Sequence, residues 1–402
     1  MKPVQHLYLN PNQRQPLLRN QQSSSEAPET FPTQTVHTHP NRSDATLPPE
    51  DASVSFIGTA TTIIEWQGLR ILTDPNFLHK GDHVHLGPGV TAERLTNPAV
   101  DLHELPPIDL VLLSHYHEDH FDRLVEDSLN RAFPIVTTPH AKGCLTPEDT
   151  SKKTVTGDLG PFRNVHDLDV FDSLVVHIGG DGTGQPGPAM KITGMPGKHV
   201  PPGPLAAINN LLGAVPPTNG WLIEMGWTSG TSVASSPSQP SPSVTSDAAK
   251  ETTPLDVGYT IYISGDTLFV DELKSIPPYL RSLQQQQQQQ RSPHLTQKES
   301  SIDLMLIHLG GTTIPGPHAP LLMVTMDAKQ GIELMKLLNP DLTIPIHFDD
   351  YSVFLSPLSD FKEEVKKMGQ PWEDRVVYLD RGDTYKFRVG MGDRDKSAQK
   401  RL

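Results

Sequence analysis

The sequence predicts an α/β fold in which two sheets pack face to face with helices on the outside. Three observations predict it. Short strand-like runs dominate the first part of the chain, and strands then alternate with helical patterns. That progression occurs twice over. The apolar strand runs also end in polar clusters, which is where α/β folds place their sites.

Residues 1 to about 50 are rich in Gln, Ser, Pro, Asn and Thr without sustained periodicity, and read as a disordered leader. "SVSFIG" and "TTIIEW" read as strands, and "LRILTD" after the "QG" turn makes 61–73 a hairpin. "IDLVLLS" is a continuous apolar run suited to a buried strand. "FDRLVEDSLNRAF" then carries Phe121, Leu124, Val125, Leu129 and Phe133 at helical spacing, and "FPIVTTP" follows as a strand. "FRNVHDLDVF" and "SLVVHIGG" read as a pair of strands, "PLAAINNLLG" as a short helix ending at Gly213, and "GWLIEMG" as a strand. "YTIYISGD", "IDLMLIHLGG" and "LTIPIH" are three more strand runs. Helices at about 326–339 and 357–368 separate or follow them, and the chain closes with "RVVYLD" and "TYKFRV". Two low-complexity stretches, about 228–256 and 284–300, read as insertions in surface loops, where even long loops cost little closure entropy. The second opens on seven glutamines.

Composition narrows the function. Of 402 residues, 35% are hydrophobic and 39 are proline, a low apolar share that fits a chain with unstructured parts. The net charge is −14, from 47 acidic and 33 basic residues, so a phosphate backbone is repelled and nucleic acid is an unfavourable partner. Cys144 is the single cysteine, which excludes an internal disulfide and fits a reducing, cytoplasmic setting. No run of 18 apolar residues occurs, so no transmembrane segment is expected. Walker-type, dinucleotide-binding and serine-elbow patterns are absent.

The chemistry concentrates in "LLSHYHEDHFD", residues 112–122, where His115, His117, Asp119 and His120 lie behind an apolar run. Imidazole nitrogen and carboxylate oxygen together suit zinc. His115 and His117, two apart on a strand exit, project to one side. Four groups so close cannot all face one ion tetrahedrally, and two ions sharing them need further ligands. "GMPGKHVPPG" offers His199, "YISGDT" offers Asp266 and "IPIHFDD" offers His347, each at a strand end beside small or turn residues. His166 and His177 fall in the same interval as His199 but lie inside expected strands. The bland alternative for the cluster alone is a solvated turn. His79, His83 and His85 in "LHKGDHVHLGPG" suggest a substrate loop or plain polar surface, and His308 and His318 invite the same two readings. His140 reads as structural.

With these residues in view, the chain resembles the metallo-β-lactamase superfamily, whose dinuclear site uses H-x-H-x-D-H, a distant His, a bridging Asp and a last His. The opening "FIGTATTIIEWQGLRILTDPNF" is similar to the branch holding N-acyl phosphatidylethanolamine phospholipase D and L-ascorbate-6-phosphate lactonase. The resemblance covers about residues 52–350. It implies a four-layer αββα sandwich over 51–392, with 1–50 as leader and 393–402 as a flexible tail. It also implies that His115, His117 and His199 hold one metal, that Asp119, His120 and His347 hold a second, and that Asp266 bridges them. Asp74 would orient ligands through hydrogen bonds. Two Zn2+ ions are implied, with Mn2+ or Fe as alternatives. Thr59 departs from the branch, many members of which carry histidine there.

The implied reaction is hydrolysis of an ester-like bond, phosphodiester or lactone, in a small or amphipathic substrate. A metal-bridging hydroxide would attack, and Asp119 would serve as the catalytic residue that orients the water and takes its proton. Competing readings are an N-acyl phospholipid phosphodiesterase at a membrane surface and a non-catalytic metal-bound scaffold. Two iron ions would instead indicate redox chemistry.

Overall fold

The computed structural model describes residues 2–20, 28–41, 48–87, 89–147, 160–180, 185–201, 203, 209, 215–228, 255–290, 301–314, 316 and 321–390. The helix expected at 204–213, nearly all of the first low-complexity stretch, His318 and the tail therefore lie outside the described residues, as do 291–300.

Two large sheets form the centre. One has eight strands, in the order Val165–Asp167, Ile135–Thr137, Leu110–Leu112, Leu69–Thr73, Thr61–Trp66, Ala52–Gly58, Thr384–Phe387 and Val36–His37. The other has seven, in the order Gln5–Leu9, Ser173–Ile178, Pro188–Met195, Gly220–Thr228, Leu255–Ile263, Leu304–His308 and Leu342–Ile346. The hairpin turn at Gln67–Gly68 puts both residues at positive φ, 51° and 76°, which matches the twist of the flanking strands.

Side-chain alternation along the strands assembles the layers. Ile223, Ile261, Leu304 and Ile344 of one sheet meet Val54, Phe56, Ile64, Ile71 and Leu110 of the other in a single buried core. Their neighbours in register, Leu222, Tyr262, Met305 and Ile307, face the opposite way. They pack on Ile276 and Leu280, on Ile332 and Met335, and on Phe361. These belong to the helices Ile276–Gln290, Ala328–Leu338 and Leu358–Met368. On the other side Ile63, Leu72, Val111 and Ile135 pack against Val125 and Leu129, and against Ala141 and Leu145. The helices here are Arg123–Ser128 and Pro139–Leu145. The result is helix, sheet, sheet, helix: the four-layer arrangement expected.

Four sequence expectations need correction. The leader is not structureless in its described parts. Gln5–Leu9 adds a parallel edge strand against Leu174–Ile178, Arg14 pairs with Asp109 at 2.9 Å, and Leu17 is buried among the helices flanking the eight-stranded sheet. The strand and ion-pair partners of this segment lie 95 or more residues away in sequence, so local patterning could not reveal them. "FRNVHDLDVF" and "SLVVHIGG" do not pair with each other: Val165–Asp167 joins the eight-stranded sheet and Ser173–Ile178 the seven-stranded one. The seven glutamines continue the helix Ile276–Gln290 instead of opening a loop, in keeping with glutamine's good helix propensity. "RVVYLD" supplies an isolated bridge from Val376 to Thr343 and no strand.

The segment 229–254 joins Thr228 to Leu255, which pair directly in neighbouring antiparallel strands, so its length does not disturb the sheet. If residues 2–20 dock as described, Leu17→Ala should cost about 2–3 kcal/mol of stability, within the usual range for truncating a buried leucine. Urea unfolding would measure it, and no change would mean that the segment contributes nothing to the core.

Candidate metal centre

Five strand exits, from both large sheets, converge at one edge of the sandwich. Leu110–Leu112 ends in Leu113 and Ser114 and then delivers His115, His117, Asp119 and His120 on a tight turn, with His120 N and Phe121 N both donating to His117 O. Asp122 closes that turn by capping the next helix, its carboxylate accepting from Val125 N at 2.8 Å and from Phe77 N at 2.6 Å. From the opposite sheet come Asp266 after Leu255–Ile263, His308 at the end of Leu304–His308, and His347 after Leu342–Ile346. His199 follows Pro188–Met195.

The seven residues expected as ligands come together. Asp119 Oδ2 lies 3.9 Å from His120 Nε2 and 3.8 Å from His347 Nε2, and Asp266 Oδ2 lies 3.2 Å and 3.4 Å from the same two nitrogens. Asp119, His120, Asp266 and His347 thus offer donor atoms around one point, and His115, His117 and Asp119 offer a second set. The His199 ring stands edge-on to His115, centroids 4.6 Å apart.

What the ring nitrogens do on their far sides decides whether these donors fit a metal. His199 Nδ1 donates to Val324 O and His347 Nδ1 to Leu309 O, each at 3.0 Å. These bonds fix the tautomer and leave Nε2 with a free lone pair. The Nε2 atoms of His115, His117, His120, His199, His308 and His347 are all buried without a hydrogen-bond partner among the described residues, and so is Asp119 Oδ1. Buried polar atoms are normally satisfied, and one left alone costs free energy. Six imidazole nitrogens and a carboxylate oxygen sharing this condition, at one place, fit the donor set of a divalent metal centre.

Asp74 sits where expected. Its Oδ1 accepts from Ser114 N at 2.7 Å and its Oδ2 lies 3.4 Å from His120 Nδ1. His308, weighed in the sequence only as a strand-end residue, belongs to the site. It is fully buried, its Nδ1 donates to Asp266 Oδ1 at 2.9 Å, and Thr325 Oγ1 donates to Asp266 Oδ2 at 2.9 Å. The signal that could have found it is its position as the last residue of an apolar strand parallel to the one delivering Asp266. His166 and His177 lie elsewhere: His166 bonds Asn164, and His177 stacks with Tyr8 on the outer edge of the sheet. His140 lies on the exposed face of a helix. The hairpin His83–His85 and Thr91–Glu93 flanks the centre, since His85 N donates to Glu118 Oε2 at 2.6 Å.

The electrostatics are those of a compensated cluster. Burial alone would raise both carboxyls. The imidazoles of His347 and His120 nevertheless hold Asp266 well below the usual carboxylate range, and those of His117 and His120 do the same for Asp119. Burial pulls His120 and His347 down, but Asp266 and Asp119 override it and raise both, His120 strongly. His199 is pushed down to about 4 by burial, and His115 is lowered by burial with His120 and His199 adding to it. These two remain neutral donors at physiological pH.

Fold and site together define the class: a protein of the metallo-β-lactamase fold, with a buried histidine–carboxylate centre at one edge of the sandwich. Residues 53–207 match the family model described as a beta-lactamase superfamily domain. Among curated relatives, an uncharacterized protein of Mycobacterium tuberculosis is 40% identical over 70 residues, 17% of this chain and 18% of that protein. The mitochondrial N-acyl-phosphatidylethanolamine-hydrolyzing phospholipase D of Saccharomyces cerevisiae is 38% identical over 68 residues, 17% of this chain and 14% of that enzyme. The chain therefore matches less than a fifth of the length of these relatives. Among solved structures, an isothiocyanate hydrolase from Delia radicum gut bacteria superposes with TM-score 0.53 at 18% identity, covering 83% of this chain and 99% of the other. A possible metal-dependent hydrolase from Veillonella parvula gives 0.52 at 16% identity, covering 84% and 100%. At such identity the likeness is one of fold. No helix among the described residues is long and apolar enough to cross a membrane.

Proposed function

We propose that this protein is a metal-dependent hydrolase with a dinuclear centre, acting on an ester-like bond of the phosphodiester or lactone class in a small or amphipathic substrate. The observation that carries the reading is the set of buried, unpartnered Nε2 atoms facing one another across Asp119 and Asp266. His115, His117 and His199 would hold one ion, Asp119, His120 and His347 the other, and Asp266 both. Zinc suits the donors, and manganese or iron would be accepted by the oxygen-richer second set. Two such ions supply Lewis-acid charge and a water of lowered pKa.

The chain's own groups then have defined tasks. His117 Nδ1 lies 2.8 Å from Asp119 Oδ1 without satisfying it, so this oxygen is available to orient the water and accept its proton. Thr325 and His308 hold both oxygens of Asp266, and Asp74 fixes the His115–His120 turn through Ser114. All of these groups except the half-buried His117 are buried, which strengthens each electrostatic contact.

A phospholipid phosphodiester is the second reading. Val324, which accepts from His199, follows the strand Leu322–Met323, and the neighbouring Leu321 is 81% exposed. An exposed apolar side chain on the segment that leads to Val324 suits an acyl chain better than a wholly polar substrate. The acidic balance and single cysteine support a cytoplasmic protein acting on small molecules rather than nucleic acid. The donor set argues against a non-catalytic scaffold, since all seven groups are in place.

Elemental mass spectrometry of the purified chain and of His117→Ala tests the centre. About two zinc or manganese ions per chain are expected, falling clearly in the variant. Hydrolysis of a panel of phosphodiesters, lactones, thioesters and N-acyl phospholipids then separates the substrate classes. Two iron ions would redirect the search to redox chemistry, and a folded protein with no stoichiometric metal would overturn the assignment.

A further inference from the structure

We propose that a buried ion pair outside the donor sets, Arg94 with Asp350, positions His347 against Asp119 and His120 and so controls occupancy of the second metal position. This rests on the metal-centre reading above. Arg94 follows the short strand Thr91–Glu93, outside both large sheets, yet its side chain is completely buried. A guanidinium is costly to bury, and an apolar residue would serve a purely structural role as well. Its contacts explain its presence.

Arg94 Nη1 donates to Thr59 Oγ1 and, at 3.2 Å, to Asn76 Oδ1. Its Nε donates to Thr96 O at 3.0 Å, its Nη2 lies 3.8 Å from Asp350 Oδ1, and the guanidinium covers the ring of Tyr351 at 5.0 Å. Arg381 Nη2 and Thr96 Oγ1 donate to Asp350 Oδ1, whereas Arg94 Nη2 faces it without a hydrogen bond.

Two branches lead from this hub to the centre. In the first, Asp350 Oδ2 accepts from Thr59 N at 2.7 Å, and Thr59 O accepts from His347 N at 2.7 Å. Thr59 and His347 both sit in the left-handed region, at φ 49° and 60°, which side chains with a Cβ adopt only when their surroundings impose it. The hub supplies that imposition. In the second branch, Asn76 Nδ2 donates to Glu118 O at 3.0 Å, and Glu118 lies between His117 and Asp119. Asn76 Nδ2 also reaches Tyr351 Oη at 2.9 Å.

Arg94 is thus one residue removed from the turn carrying His347 and one removed from the turn carrying Asp119 and His120, which come from opposite sheets. His115 and His199 are held by other groups, Ser114 Oγ and Val324 O. The His347 branch therefore acts on the second donor set alone, whereas the Asn76 branch meets the turn between His117 of the first set and Asp119 of the second. Thr59, where the opening segment departs from the branch it resembles, is the link through which Arg94 reaches His347.

The test is stepwise metal binding. Chelator-stripped wild type and Arg94→Met are titrated with Zn2+ against a chromophoric chelator, with circular dichroism checking the fold. The wild type should take two tight equivalents. In Arg94→Met the second should be weakened by about 10–100-fold, the usual effect of losing a group that orients a metal ligand, and the first by clearly less. Should Arg94→Met not fold, Asp350→Asn, which keeps the side-chain volume, carries the same expectation. A folded variant that binds both ions with wild-type affinity, or loses both equally, overturns the inference. A wild type binding no zinc would instead overturn the metal-centre reading itself.

Discussion

Asp266→Asn is expected to lower hydrolysis by about a thousandfold or more, equivalent to ~4 kcal/mol on the barrier, and to reduce bound metal well below two ions per chain. The substitution keeps the shape of the side chain, so its effect isolates the charge. Asp266 receives His308 and Thr325 on its outer sides and faces His120 Nε2 and His347 Nε2 within 3.4 Å. An amide there would either turn a hydrogen-bond donor toward those lone pairs or break its bonds to His308 and Thr325. Activity and metal content of the purified variant check this, and activity within tenfold of wild type would remove Asp266 from the bridging role. The fold should survive. With the carboxylate gone, His120 and His347 lose the main influence that raises them and can stay neutral.

The stabilisation gained on adding zinc should grow from pH 6 to pH 8, and it should be large: at a thousandfold excess over Kd it amounts to about 4 kcal/mol. Without metal, His120 and His347 have raised pKa values, so their contribution to stability is present below about 6.5, their unfolded value, and is lost as pH rises through the folded values. The metal-free protein therefore loses stability on the alkaline side. Metal binding runs the other way, because zinc must displace those same protons and binds more tightly as pH rises. On the acid side, His199 and His115 are lowered, so the unfolded chain takes up protons first. Their contribution is present above about 6.5 and falls away toward the value of about 4 at His199. Thermal unfolding with and without zinc at the two pH values measures the difference. A shift independent of pH would mean that His120 and His347 do not carry protons in the metal-free state.

The sequence made the centre legible because its ligands need particular residue types at strand exits. His115, His117, Asp119 and His120 occupy one turn, and Asp266 and His347 follow uninterrupted apolar runs, so each stands out from its neighbours. His199 was separable from His166 and His177 by its loop setting. His308 was not legible in the same way, because its function depends on a carboxylate delivered by the adjacent parallel strand. Nothing in the residues around Arg94 and Asp350 marks them for burial, and only the fold buries them. The strand alternation foretold the layers, but which strand enters which sheet is a matter of long-range pairing. Hence the separation of Val165–Asp167 from Ser173–Ile178, and the docking of Gln5–Leu9, were invisible locally.

The proposed ligands come from both sheets, and this bears on how the molecule opens. Asp119 and His120 leave the eight-stranded sheet, whereas Asp266 and His347 leave the seven-stranded one. A bound ion would therefore be a cross-link between halves that otherwise meet through the apolar core and through hydrogen bonds such as those of Thr59 with His347 and Asp350. Partial openings in which one sheet peels from the other while each keeps its own hydrogen bonds would be excluded by loading, leaving complete unfolding as the main route to exposure. The interior amides of the two sheets should then exchange with solvent as separate groups in the stripped protein and as one cooperative unit in the loaded one.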